Sequence, residues 1–118
     1  MLDLIIKNGK CYIDGQLKDV NISVKDGKIQ KIGQITEDAK DTIDATGLIV
    51  LPGCMDTQTH FREPGSTDTE DLHSGSRAAI VGGITSVFEM PNTNPPTSTK
   101  KEFQRKLDLA KNRMYCNY

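Results

Sequence analysis

Two strand-length segments, each followed by a helical pattern, fill the second half of this chain, and that alternation limits what it can fold into. The apolar run Leu48 to Leu51 breaks at Pro52-Gly53, and the chain continues extended through Asp56, Gln58 and His60. A helix is expected from about Glu70 to Val81, capped by Asp68 or Thr69, with Leu72, Ala79 and Ile80 on its buried side. Gly82-Gly83 is a helix stop, because glycine accepts the left-handed conformation past a helix end. Ile84 to Phe88, rich in β-branched residues, then reads as a buried strand that Met90, Pro91 and Asn92 break. Thr99 and Glu102 have the spacing of a capping box, and Phe103, Leu107, Ala110 and Met114 follow as one apolar stripe. Lys100, Lys101, Arg105, Lys106, Lys111 and Arg113 are expected on the solvated side of that second helix. Strand and helix in alternation imply a parallel sheet, and a repeated unit implies the start of a TIM-type (β/α)8 barrel. A whole barrel takes about 250 residues, so residues 51–118 hold only its first two units. Cys116-Asn117-Tyr118 would lead into a third strand.

The first fifty residues obey a different rhythm. Strand-length stretches are punctuated by Asn8-Gly9, Asp14-Gly15 and Asp26-Gly27, dipeptides that tolerate the positive φ of tight hairpins. Val20, Ile22 and Val24 alternate with polar neighbours, as a half-buried strand requires. Thr42 to Asp44 and Gly47 to Leu51 suggest two more short strands. Residues 1–50 therefore read as an antiparallel β-sandwich portion without a catalytic constellation.

Charge narrows the function classes. The chain has 15 Lys+Arg against 16 Asp+Glu, which gives no electrostatic reason to expect nucleic acid or an anionic membrane. No apolar run approaches the roughly 20 residues that span a bilayer. Cys11, Cys54 and Cys116 are widely spaced and odd in number, a pattern of reduced thiols, so a cytoplasmic setting is expected.

Chemistry concentrates between Asp56 and Gly65. Alternate side chains of an extended strand leave the same face, so Asp56, Gln58 and His60 are expected to share one space, with Arg62 beside them. A carboxylate, an amide and an imidazole at a strand end can hold a ligand, or can simply be the solvated mouth of a sheet. The run His60-Phe61-Arg62-Glu63-Pro64-Gly65, together with Met90-Pro91-Asn92, resembles the opening of the dihydroorotase branch of the amidohydrolase superfamily. The resemblance covers the first quarter to third of such an enzyme. Hydantoinase and allantoinase relatives share the barrel and the His-rich motif but fit that pair of motifs less well. The chain departs from the pattern at Gln58, where the family has the first histidine of a metal-binding pair.

The resemblance implies zinc-dependent hydrolysis of a cyclic amide, here the interconversion of dihydroorotate and carbamoyl aspartate in pyrimidine biosynthesis. It implies His60 as a zinc ligand, Gln58 as a poor substitute for the other, Asp56 as a supporting acid, and Arg62 and Asn92 as the grip on a substrate carboxylate. No catalytic residue is expected within this chain, which alone should be inactive and hold zinc weakly if at all. The substituted ligand also leaves open a non-catalytic remnant that partners aspartate transcarbamoylase or a missing C-terminal half. A hydantoinase-like or allantoinase-like ring opener is the other alternative.

Overall fold

The computed structural model describes residues 1–118, which fall into two compact units, Met1–Pro52 and Gly53–Tyr118. The first unit is all strand: β1 (Leu2–Lys7), β2 (Lys10–Ile13), β3 (Gln16–Asp19), β4 (Asn21–Lys25), β5 (Lys28–Gly33), β6 (Ala39–Asp44) and β7 (Ile49–Val50). They form a four-stranded sheet in the order β5-β4-β1-β6 and a three-stranded sheet in the order β3-β2-β7.

Neither sheet is purely antiparallel, contrary to the expectation from the turn signals. β1 runs parallel to β6 and β2 parallel to β7. The reason lies at Asn8-Gly9, which makes no hairpin. Both residues of a type I′ turn need positive φ, a condition met at Asp14-Gly15 and Asp26-Gly27 but only by Asn8 at this site. Asp14-Gly15 accordingly joins β2 to β3, and Asp26-Gly27 joins β4 to β5. The Asn8-Gly9 step instead carries the chain from one sheet to the other. Its glycine is required by crowding, since a Cβ there would meet Val50 Cγ2 at 2.7 Å and Ala45 Cβ at 2.9 Å. A second crossing divides the stretch between the Asp14-Gly15 and Asp26-Gly27 turns into two strands. A tight bend, with Val20 N–H donating to Lys18 C=O at 3.1 Å, puts β3 in one sheet and β4 in the other. Leu2, Ile5, Cys11, Ile22 and Ala45 are the buried apolar residues of this unit.

The second unit begins with β8 (Cys54–Thr59), crosses through α1 (Leu72–Val81) to β9 (Ile84–Glu89), and continues into α2 (Lys100–Ala110). β8 and β9 are parallel neighbours. Asn117 starts a third parallel partner: its N–H donates to Thr85 C=O at 3.0 Å and its C=O accepts from Val87 N–H at 2.9 Å. The core gathers Phe61, Leu72, Val87, Ala110 and Cys116, with Ala79, Ile84, Leu109 and Met114 packed against it. No helix is long and apolar enough to cross a membrane.

Both helices differ from expectation in instructive ways. α1 starts at Leu72 with Asp71 as its cap, because Thr69 and Glu70 N–H both turn back onto Ser66 C=O (3.0 and 3.3 Å). The reciprocal capping box lies here, between Asp71 and Ser74. Its buried face is Leu72, Gly75 and Ser76, while Ile80 is 40% exposed. Gly75 makes room for an aromatic ring, since a Cβ would lie 2.5 Å from Phe61 Cδ1. In α2 only half of the expected box forms. Thr99 Oγ1 accepts from Glu102 N–H at 3.2 Å, but the Glu102 carboxylate pairs with Arg105 at 3.5 Å.

Two of the six cations assigned to solvent turn inward. Lys106 is buried, and Arg113, just past the end of α2, is half-buried. The apolar stripe is covered at Ala110 but open at Phe103 and Leu107. Those two residues line a groove of roughly 460 Å³ together with Val87, Phe88 and Tyr118.

Candidate active site at the strand ends

The C-terminal ends of β8 and β9 are stitched together by their backbone. Met90 N–H donates to Thr59 C=O at 2.8 Å, and Asn94 N–H donates to Pro64 C=O at 3.0 Å. Gly65, with φ of 117°, lies so close that a Cβ would meet the Asn94 C=O at 2.7 Å. The loop after each strand therefore supports the other, and the polar side chains sit on this doubled platform.

His60 and Asn92 are the expected site residues that the structure brings together. His60 Nδ1 lies 2.8 Å from Asn92 Oδ1, and both residues are exposed. Asp56 and Gln58 are engaged locally: the half-buried Asp56 carboxylate accepts from Gln58 N–H at 2.9 Å, leaving the Gln58 amide exposed. The β8–β9 register shifts between Asp56 and Thr59, which interrupts the strict alternation that would have aligned Asp56, Gln58 and His60. Arg62 is exposed and takes part in no ion pair.

Acidic neighbours that could have paired with Arg62 are taken by Arg113. Its Nη1 and Nη2 meet Glu63 Oε1 and Oε2 at 2.8 and 3.0 Å, and Nη2 lies 3.6 Å from Asp71. Glu63 Oε2 also accepts from Leu72 N–H, the first donor of α1, at 2.9 Å. Burial pushes the Glu63 carboxyl up, but the Arg113 and Leu72 hydrogen bonds outweigh it and hold the group below its ordinary value.

At the end of β9 the Glu89 carboxylate is nearly buried, with Lys106 Nζ 3.4 Å away. Here burial dominates and raises the carboxyl, with Lys106 and His60 offsetting it only in part. Lys106 Nζ also donates to Met90 C=O at 3.0 Å. Two cations from the region of α2 thus grip the two loops, Lys106 behind β9 and Arg113 behind β8. Sequence reasoning missed this pair of grips. Glu89 carried a legible signal, being a lone charge at the end of a strand whose sequence reads as buried, although only Val87 of that strand is buried in the structure. His73 pairs its Nε2 with the Tyr115 hydroxyl at 3.2 Å.

No group of three or more His, Cys, Asp or Glu side chains gathers in a metal-binding cluster. His60 fits as a single donor, exposed and braced on one ring nitrogen, and Gln58 offers at most a neutral amide oxygen. A divalent metal needs further donors than this chain supplies.

Comparison with known proteins agrees with this architecture. Residues 49–116 match the model of the amidohydrolase family. An allantoinase from Escherichia coli O1:K1 is 48% identical over 95% of this chain, which corresponds to 25% of that protein. The L-hydantoinase (dihydropyrimidinase) from Arthrobacter aurescens superimposes with a TM-score of 0.87 at 36% identity, covering 98% of this chain and 26% of that structure. An N-acyl-D-glutamate deacylase from Bordetella bronchiseptica, solved with zinc and a phosphonate inhibitor, superimposes at 0.57 with 28% identity, over 73% of this chain and 18% of its own. The chain thus spans about a quarter of the length of its allantoinase and hydantoinase relatives. With a match to more than half of its residues and a shared fold, the chain belongs to the amidohydrolase family.

Proposed function

We propose that this chain is a segment of a metal-dependent cyclic amide hydrolase of the allantoinase and hydantoinase kind. The observation that carries the reading is the His60–Asn92 pair on joined strand ends, in a chain 48% identical to an allantoinase. A divalent metal, zinc in our reading, supplies a Lewis acid for the otherwise inert ring amide when bound. His60 provides one imidazole donor, and the remaining donors belong to parts of the relatives that this chain does not span. Gln58 is a weaker, neutral donor and serves better as a hydrogen-bonding neighbour than as a ligand. Arg62, free of any ion pair, is available to bind an anionic substituent of the substrate. Asp56 supports the strand end through Gln58 N–H.

Dihydroorotate is the second candidate substrate, supported by the His60–Gly65 run and by Met90-Pro91-Asn92. On that reading Arg62 and the Asn92 amide nitrogen hold its carboxylate. The substitution at Gln58 supports a third possibility, a non-catalytic partner of aspartate transcarbamoylase.

The test is ring opening of allantoin, substituted hydantoins and dihydroorotate by a full-length protein carrying this segment, or by this chain co-expressed with a complementing C-terminal piece. Turnover of allantoin or a hydantoin is expected, and none by the 118-residue chain alone. Turnover confined to dihydroorotate would replace the first reading by the second. Co-purification with aspartate transcarbamoylase, with all three rings untouched, would favour the third.

A further inference from the structure

We infer that Asn92 is a positioning residue for His60, fixing the tautomer that leaves Nε2 as the ring's free lone pair. A neutral imidazole carries one N–H, and the hydrogen bond at one nitrogen decides what the other can do. Asn92 Oδ1 can only accept, so at 2.8 Å it requires the hydrogen on Nδ1. Nε2 is then the acceptor, on an exposed residue at the joined strand ends. Histidines that bind metals commonly donate their second ring N–H to an oxygen in this way, which fixes ring orientation and raises donor basicity.

The loop that carries Asn92 is built to hold it. Thr93 and Thr97 N–H both donate to Pro91 C=O at 2.9 Å. The Thr93 hydroxyl lies 3.0 Å from Pro95 C=O and 3.2 Å from the Thr97 hydroxyl. Met90 N–H on Thr59 C=O fixes the same loop to the end of β8, immediately before His60. Lys106 Nζ on Met90 C=O secures it from behind. The Asn92 oxygen is therefore set in place before any ligand arrives. Its amide nitrogen stays available, so bracing His60 and donating to a substrate anion are compatible uses of one side chain. The functional half of the inference rests on His60 being a metal donor, whereas the tautomer does not.

The test uses ¹⁵N-histidine-labelled chain and long-range ¹H–¹⁵N correlation, at about pH 8.5 so that an imidazole of ordinary pKa is neutral. The chain has only two histidines, and His73→Gln assigns them. In the wild type, His60 is expected to show a lone-pair Nε2 and a protonated Nδ1. Asn92→Asp, whose oxygens only accept, should preserve that pattern. Asn92→Ala should release His60 toward the mixed pattern of free imidazole, with His73 unmoved as the internal reference. A protonated Nε2 in the wild type, no change in Asn92→Ala, or both histidines collapsing to the free-imidazole pattern would each overturn the inference. In a full-length protein carrying this segment, labelled in the same way and with His60 assigned by His60→Gln, added zinc chloride should perturb Nε2 of His60. If Nε2 carries the lone pair and zinc leaves it unmoved, the metal-donor role falls. Failure to hydrolyse any ring in the separate assay would leave the tautomer result standing.

Discussion

Glu63→Ala is expected to destabilise the Gly53–Tyr118 unit by about 3 kcal/mol, the low end of the cost of removing one partner of a buried ion pair. The low end applies because the Arg113 side chain is 35% exposed and can recover water once the carboxylate is gone. The same change also strips Leu72 N–H of its acceptor at the start of α1. Both helices lie in this unit, so helical ellipticity during urea unfolding reports it directly. Arg62→Ala, one residue away and unpaired, should stay within about 0.5 kcal/mol of the parent. Equal effects for the two would show that the Glu63 network does not hold the loop.

Glu63 also predicts an acid dependence. Its folded pKa lies below the ordinary 4.5, so the unfolded chain takes up the proton more readily. Its contribution to stability is therefore complete above that value and is lost as pH falls through the lower folded value. Arg113 stays protonated throughout. Glu63→Gln should flatten the acid limb of stability against pH, leaving the part due to Asp71, whose carboxyl is also held low, chiefly by Ser74.

Leu72→Ala should be as costly, in the range of about 2–5 kcal/mol for a large-to-small change in a core. Leu72 is 2% exposed and belongs to the cluster that ties Phe61, next to His60, to the centre of β9 and the end of α2. Leu72→Met keeps the volume and should cost less than about 1.5 kcal/mol. The check is the difference between the two urea midpoints. A midpoint for Leu72→Ala close to that of Leu72→Met would mean that this cluster is not the core of the unit.

How far these features could be read in advance depended on whether their cause was local. Asp14-Gly15 and Asp26-Gly27 announce their hairpins because positive φ is a property of the dipeptide itself. Asn8-Gly9 carries the same kind of turn signal but is governed by Val50 and Ala45, some forty residues away, so its role emerged only from the fold. The strands and helices of the second unit followed from periodicity, whereas the start of α1 depended on Ser66 drawing Thr69 and Glu70 into a turn. At the site, His60 and Asn92 were legible as residues, through motif and resemblance. Their mutual bond, across a sequence separation of 32, was not. Lys106 and Arg113 were misassigned for a related reason: charge on a helix predicts solvent unless a distant carboxylate or carbonyl claims it, and Glu63 lies 50 positions before Arg113.

The cysteines give the molecule a built-in pair of clocks. Cys54 is exposed, whereas Cys11 and Cys116 are 1% and 7% exposed, one in each compact unit. Burial raises the pKa of both hidden thiols, so little thiolate forms while the chain is folded. Pulsed alkylation read by peptide mass spectrometry should mark Cys54 at once, Cys11 only when Met1–Pro52 opens, and Cys116 only when Gly53–Tyr118 opens. Equal labelling of all three would mean that the two thiols are not hidden in solution. Unequal rates at Cys11 and Cys116 would time the opening of a β-sheet unit and of an α/β unit separately, within one polypeptide and without an added probe.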